Sequence, residues 1–305
     1  MRQTALNTVY ELAKKDRRVV FVGSDLGAGT LRNMKEELPS QFFMEGISEQ
    51  HIIGFVSGLA KEGFIPFVNT IANFFTRRAY EQIAMDIALH ELPVKLLASG
   101  GGMVYAPLGP THTAIEDLAL MSNIPKMRVF APGDANEMQS LIRASVNDTR
   151  PWYVRFGKGG EPKISPEFQA SPDFPKVFGH PRGEILILTT GIVIHESLKA
   201  MEVLTENYDL KVTAIHFPEF SNLRETQWAH LYIQARIVLV AEEHIFMGGL
   251  LAKILKLAWQ EQWDISKIVH RCLPFKYVHN YGSQSDHLKV NGLDAKGLVD
   301  CLKQK

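Results

Sequence analysis

Short apolar runs recur through the first half of the chain, and each is separated from the next by enough residues for a helix and its turns. They are Val19-Val20-Phe21-Val22, Ile65-Pro66-Phe67-Val68, Val94-Lys95-Leu96-Leu97-Ala98, Met127 to Phe130 and Trp152 to Phe156. Helical periodicity fills the intervals: Met1 to Lys14, the helix behind Glu49, about Phe75 to Leu89, a helix opening near Ala114, and Asp134 to Val146. Strands that pair in parallel need crossovers of this length, and strands covered on both faces read as apolar runs without alternation. The pattern predicts a doubly wound, three-layer α/β domain.

From Gly157 to Gly183 the periodicity fails and Pro, Gly, Ser and Lys dominate. A second alternating unit follows: Ile185-Leu186-Ile187-Leu188, a helix from His195 to Thr205, Lys211 to Phe217, Ile237 to Val240, a helix from Gly248 to Gln260, and a last helix near Ala295 to Lys303. The expected division is a first domain over 1–160, a linker over 161–183, and a smaller three-layer domain over 184–305.

Composition narrows the function classes. With 33 basic and 33 acidic residues in 305, the formal net charge is zero, so no basic field for nucleic acid or an anionic membrane is expected. Cys272 and Cys301 form no disulfide framework and no metal-type cluster, which fits a reducing compartment. The first residues are amphipathic and charged, unlike a secretory signal, and no apolar run reaches spanning length. A cytoplasmic location is expected.

In open parallel sheets, ligands bind in the loops after the carboxyl ends of the strands. Those loops contribute Asp25 (within Gly23-Ser24-Asp25-Leu26-Gly27), Glu49, Asn73, Arg77, Arg78, His112 and Arg155. No strand is followed by a Gly-rich phosphate loop or a Walker-type Gly-Lys-Ser, and neither Ser24 nor Ser99 sits in a nucleophile elbow. No histidine and carboxylate set has metal-ligand spacing, so no metal ligand is assigned to this chain.

Glu49 lies in Gly46-Ile47-Ser48-Glu49-Gln50-His51, at the junction between a loop and an apolar helix containing Gly54 and Gly58. Two readings stay open for it. A carboxylate entering a packed wall loses hydration, which favours its protonated form and proton donation near neutral pH. An acid in a first helical turn also serves simply as a cap. The two glycines are expected to admit close approach of another backbone.

Three segments carry a resemblance: Gly46 to His51; Asn73-Phe74-Phe75-Thr76-Arg77-Arg78-Ala79-Tyr80-Glu81-Gln82; and Gly109-Pro110-Thr111-His112. They are similar to the pyrimidine-binding domain of transketolases and 1-deoxyxylulose-5-phosphate synthases. Val240-Ala241-Glu242-Glu243-His244 with Gly248-Gly249-Leu250, and Asn291-Gly292-Leu293-Asp294-Ala295, resemble the carboxyl-terminal domain of the same family. The match is to the second half of a full-length enzyme. The family's Gly-Asp-Gly motif, which holds the cofactor diphosphate and Mg²⁺, occurs nowhere in this sequence. The chain therefore resembles the carboxyl-terminal subunit of a split transketolase, a transferase of aldehyde or ketone residues active only with an amino-terminal partner subunit. A heterotetramer of two of each is expected.

The resemblance implies roles by position. Glu49 matches the acid that hydrogen-bonds the pyrimidine of thiamine diphosphate, and Phe75 the aromatic that stacks on it, while Phe74 is expected in the core. His112 matches the histidine that handles substrate oxygen, and Arg78 a residue near cofactor and substrate entrance. Arg2 and Arg155 match arginines that clamp a sugar phosphate, and Asp25 lies near the cofactor. Taken alone, each has a plainer alternative: Phe75 as helix core, His112 as an incidental loop residue, Arg78 as a surface charge, and Arg2, Arg155 and Asp25 as solvated or structural groups. Three positions depart from the family pattern: Leu108 stands where a substrate-reading Asp is usual, Gly100 where a phosphate-binding His is, and Ala72 where an aromatic is. These changes make the channel less polar and roomier, favouring a modified or deoxygenated sugar acceptor or a small apolar donor such as pyruvate. Two alternatives remain beside two-carbon ketol transfer. One is a pyruvate-decarboxylating carboligase or 2-oxo-acid dehydrogenase beta-type subunit, and the other a non-catalytic assembly subunit.

Overall fold

A computed structural model describes residues 1–25, 29–167 and 171–303 and divides into two compact units. The first comprises Met1–Gly101, Leu120–Phe130 and Asp134–Pro172; the second comprises Gly102–Ala119, Ala131–Gly133 and Asp173–Lys305. Both are sheets covered by helices, as the alternating pattern predicts.

In the first unit, β1 (Val19–Gly23), β2 (Phe42–Met44), β3 (Ile65–Ile71), β4 (Lys95–Ser99), β5 (Arg128–Phe130) and β6 (Trp152–Phe156) form one sheet in the order β2-β1-β3-β4-β6-β5. Every pairing is parallel. Registers Gly23↔Asn69, Ile71↔Ser99 and Ser99↔Phe156 bring the carboxyl ends of four strands to one edge. At the opposite edge Lys95, fully buried, donates from Nζ to the carbonyls of Asp148 (2.6 Å) and Arg150 (2.7 Å). Asp134 caps the helix Ala135–Ser145 by accepting from the Glu137 N–H (2.8 Å). Its second oxygen takes the N–H groups of Ile164 and Ser165, both at 2.7 Å, which anchors the chain leaving β6.

In the second unit, β7 (Lys176–Gly179), β8 (Ile185–Thr189), β9 (Val212–His216), β10 (Ile237–Ile245) and β11 (Ile268–Leu273) run in the order β11-β10-β8-β9-β7. All pairs are parallel except β7, which lies antiparallel on β9. The helices Val193–Tyr208 and Ala295–Lys303 bury Val193, Ala200, Leu204, Leu298 and Leu302 in this unit's core. No helix among the described residues is long and apolar enough to cross a membrane.

Several elements differ from the sequence expectation. The helix expected over Phe75 to Leu89 is broken: Ala72–Arg78 ends at Ala79, whose φ of −126° leaves the helical range, and a π-helical turn covers Ile83–Ala88. The helix expected near Ala114 begins at Asp117, because Ala114 is engaged with Gly102 in a short antiparallel bridge. The stretch expected as a linker contains β7, whose alternating half-buried pattern marks a sheet edge. β10 runs on past Val240 to Ile245.

Candidate functional site

Gly46, at φ +75°, makes the turn that only a residue without Cβ adopts readily, and the helix Glu49–Lys61 starts three residues later. The Ser48 hydroxyl donates backwards to the Glu45 carbonyl (3.0 Å), and no side chain caps this helix. The Glu49 carboxylate turns inward instead, where it is 3% exposed. One oxygen accepts from the Thr70 hydroxyl (3.2 Å) at the end of β3, and the other from the Arg78 guanidinium (3.1 Å).

The Ser24 hydroxyl, just past β1, is 3.0 Å from Thr70 Oγ1 and 3.1 Å from Asp25 Oδ1. A polar chain thus links Asp25, Ser24, Thr70, Glu49 and Arg78 across the carboxyl ends of two adjacent strands. It opens into a cavity of about 570 Å³ lined by Ile47, Ser48, Glu49, Gln50, His51, Arg77 and Arg78.

Burial of Glu49 is as the loop-to-helix junction suggests, but the carboxylate meets a partner that the sequence gives no sign of. Arg78 is exposed, with its guanidinium 3.7 Å above the Phe74 ring. It is a displaceable partner.

The two neighbouring phenylalanines differ in burial. Phe75 is fully buried and meets Tyr153 edge-on, with ring centroids 6.4 Å apart, whereas Phe74 is half-buried beside Arg78. Because this helix begins at Ala72, the third residue on is rotated onto the sheet and its predecessor turns outward. The glycines of the Glu49 helix also differ from expectation. A Cβ on Gly54 or Gly58 would meet nothing within 4 Å, since both lie on the exposed face of the helix.

Arg155 is buried near the end of β6. A Cβ on Gly101 would overlap its side chain, so only glycine there leaves the guanidinium its path. Arg2 is the first residue of the helix Arg2–Ala13 and is half-buried. Leu26 and Gly27, from the turn after β1, lie outside the described residues.

His112 and Leu108 belong to the second unit. Leu108 closes a 3-10 turn, Ala106–Leu108, with its side chain 53% exposed. The His112 N–H donates to the Gly109 carbonyl (3.0 Å), and its ring Nδ1 is 2.9 Å from the Thr111 hydroxyl.

Of the residues singled out, the structure brings Glu49, Arg78 and Asp25 into one connected group. Ser24 and Thr70, which complete it, escape a sequence reading because a serine and a threonine at strand ends resemble those of any sheet. Their signal is position, since each closes a strand whose carboxyl end faces the loops. Among the described residues, no group of three or more His, Cys, Asp or Glu is placed to hold a metal ion.

Comparison with known proteins places this geometry. A family model for the transketolase pyrimidine-binding domain matches residues 1–162, and one for the transketolase C-terminal domain matches residues 178–298. The 1-deoxy-D-xylulose-5-phosphate synthases of Synechococcus sp. (strain JA-3-3Ab) and Syntrophus aciditrophicus (strain SB) are 34% and 31% identical, over 98% and 97% of this chain. In both, the aligned part is 46% of the relative's length, so the chain spans about half of the curated relatives it matches. A solved chain described as a split gene transketolase, inactive beta4 tetramer, is 28% identical with a TM-score of 0.87, covering 99% of this chain and 97% of that one. Transketolase from Leishmania mexicana shares the fold at a TM-score of 0.80 and 18% identity, with 99% of this chain covering 45% of it.

Proposed function

The chain belongs to the transketolase family, and from that premise we propose that it is the carboxyl-terminal subunit of a two-chain, thiamine-diphosphate-dependent transketolase. The observation that carries this reading is Glu49, a buried carboxylate opening into a cavity and held there by two side chains rather than by backbone. The donor set suits a nitrogen heterocycle, with an acid at the floor, hydroxyls behind it, and a half-buried aromatic alongside. Thiamine diphosphate, when bound, supplies an acidic carbon whose conjugate base adds to ketones.

This chain's residues have separate tasks in that chemistry. Glu49 would make a hydrogen bond with a ring nitrogen of the cofactor. Thr70 and Ser24 hold the Glu49 carboxyl in orientation, and Asp25 extends the same polar chain. His112 moves a proton at the substrate oxygen, a task matched to an imidazole. Arg155, with Arg2, receives a sugar phosphate, for which the forked guanidinium is well shaped. Phe75 would present the aromatic surface on which the pyrimidine stacks, with Phe74 beside Arg78. Leu108 would give a substrate an apolar contact in place of a carboxylate.

The partner subunit is proposed because the chain aligns with nearly the whole of a split-gene subunit but with under half of the single-chain relatives. That partner would hold the diphosphate and Mg²⁺, and the assembly would contain two of each subunit. The names of the curated relatives favour a second reading in which the donor is pyruvate and the reaction a decarboxylating carboligation.

Mixing the chain with a partner subunit, thiamine diphosphate and Mg²⁺ separates the two. Glycolaldehyde transfer from a ketose phosphate supports the first reading, and CO₂ release from pyruvate supports the second. Turnover by the chain without any partner contradicts both.

A further inference from the structure

β10 carries three ionisable residues in succession, Glu242, Glu243 and His244, all buried within a strand whose every residue is buried. Burying such groups is costly unless each is satisfied, so their partners show what they are for. Glu242 is fully explained within its own domain: it accepts the N–H groups of Leu250 and Leu251 at the start of the following helix and pairs with His270 at 2.9 Å. The next two residues reach elsewhere in the chain.

Glu243 accepts the Met103 N–H at 2.9 Å and the Gln284 side-chain amide at 2.8 Å. In His244, Nδ1 lies 2.7 Å from the Ile245 carbonyl, which can only accept, so the ring proton sits there. The bare Nε2 accepts the Ala119 N–H at 3.4 Å. Ile245 continues the series by donating its own N–H to the Ile115 carbonyl at 3.0 Å. Met103 opens a loop that closes where Gly102 and Ala114 exchange hydrogen bonds of 2.7 and 3.0 Å, and Ala119 is the third residue of the helix Asp117–Ser122 that follows it. That loop bears Leu108 and His112.

We infer that Glu243 and His244 are positioning residues: Glu243 holds the start of the Gly102–Ala114 loop, His244 holds the first turn of the helix Asp117–Ser122 that follows it, and together they fix where His112 is presented. This rests on the role proposed above for His112, but the grip itself does not. Three consecutive residues of one strand set the loop's base, so a change at either end is transmitted to its tip through the Gly102–Ala114 bridge. The Glu-Glu-His run is then a fixture for the loop that carries His112.

Amide hydrogen exchange on the full chain tests the grip without any assay of activity. Glu243→Ala is expected to accelerate exchange at residues 103–114 about tenfold or more, the scale of losing a hydrogen bond to a charged acceptor. Glu243→Gln, which keeps an oxygen at that position, is expected to restore most of the protection. His244→Leu is expected to act at the other end, on 115–119. In both variants β8 and β9 should keep their protection. Acceleration spread evenly through the second unit, or none in the loop, overturns the inference and makes these residues ordinary core.

In the reconstituted enzyme, Glu243→Ala should lower kcat about tenfold with little change in KM for the donor, with rescue by Glu243→Gln. Wild-type kcat in Glu243→Ala beside a damaged His112→Ala enzyme overturns the inference as well. Loss of loop protection beside a fully active His112→Ala enzyme refutes the proposed role of His112 and leaves the grip standing.

Discussion

Glu49 and Glu242 are almost equally hidden, at 3% and 0% exposed, yet their surroundings are built for different ends. Glu242 is held by two backbone N–H groups at a helix start and by His270, partners that cannot leave without unfolding the strand and helix they belong to. Glu49 is held by a hydroxyl that rotates and a guanidinium that is half in solvent, and it faces a cavity. A buried acid whose partners are backbone is a structural fixture; one whose partners can be exchanged keeps its capacity to bind something else. Burial alone does not distinguish the two.

Substitution of the two acids should separate activity from stability. Glu49→Gln is expected to reduce turnover of the reconstituted enzyme about a thousandfold, the middle of the range for positioned proton transfer, while unfolding in denaturant shifts by less than about 1 kcal/mol. Glu242→Ala should do the reverse, lowering stability by about 3 kcal/mol through an unpaired His270 and two unpaired N–H groups. If Glu49→Gln unfolds the chain, or Glu242→Ala is silent in denaturant, the contrast between fixture and site is lost.

A smaller effect is expected from Gly101→Ala. The new methyl would occupy the path of the Arg155 side chain, displacing its guanidinium. KM for a phosphorylated substrate should rise about tenfold with kcat nearly unchanged, the signature of lost ground-state binding. An unphosphorylated analogue should show no such rise, and an equal rise for both would detach Arg155 from the phosphate.

The two units should also answer pH in opposite directions. Burial works to lower the His270 pKa, but hydrogen bonds with Cys272 and Glu242 outweigh it and raise the value to about 9 from 6.5. Its stabilisation is therefore complete below pH 6.5 and is lost as pH rises through 9. In the first unit, burial lowers Lys95 from 10.5 to about 7. Between those values the unfolded chain binds the extra proton, so this group's contribution to stability grows as pH rises. Thermal melts from pH 7 to 9 should show a more positive slope of stability with pH in His270→Gln than in the wild type, and a more negative one in Lys95→Met. Identical slopes in all three would remove both assignments.

Much of the architecture was legible because apolar runs at crossover spacing leave few alternatives to a wound parallel sheet. The strands that escaped, β2, β7 and β11, are partly exposed, and Ile268–Leu273 interleaves His270 and Arg271 with its apolar residues as an edge strand does. In the site, Glu49 was legible from its place at a loop-to-helix junction. The Arg78 bond to it spans 29 residues of sequence and leaves no local trace, and which of Phe74 and Phe75 is buried turns on where a short helix starts. The loop grip by Glu243 and His244 joins residues more than a hundred positions apart, a relation only the fold supplies.

The account rests on a pyrimidine site in this chain and a diphosphate site in another. Calorimetric titration of thiamine diphosphate with Mg²⁺, into the chain alone and then into the chain mixed with its partner subunit, tests that division directly. Saturable binding is expected only in the mixture, and it should weaken there in Glu49→Gln. Equally tight binding by the chain alone, or binding in the mixture indifferent to Glu49, would contradict it.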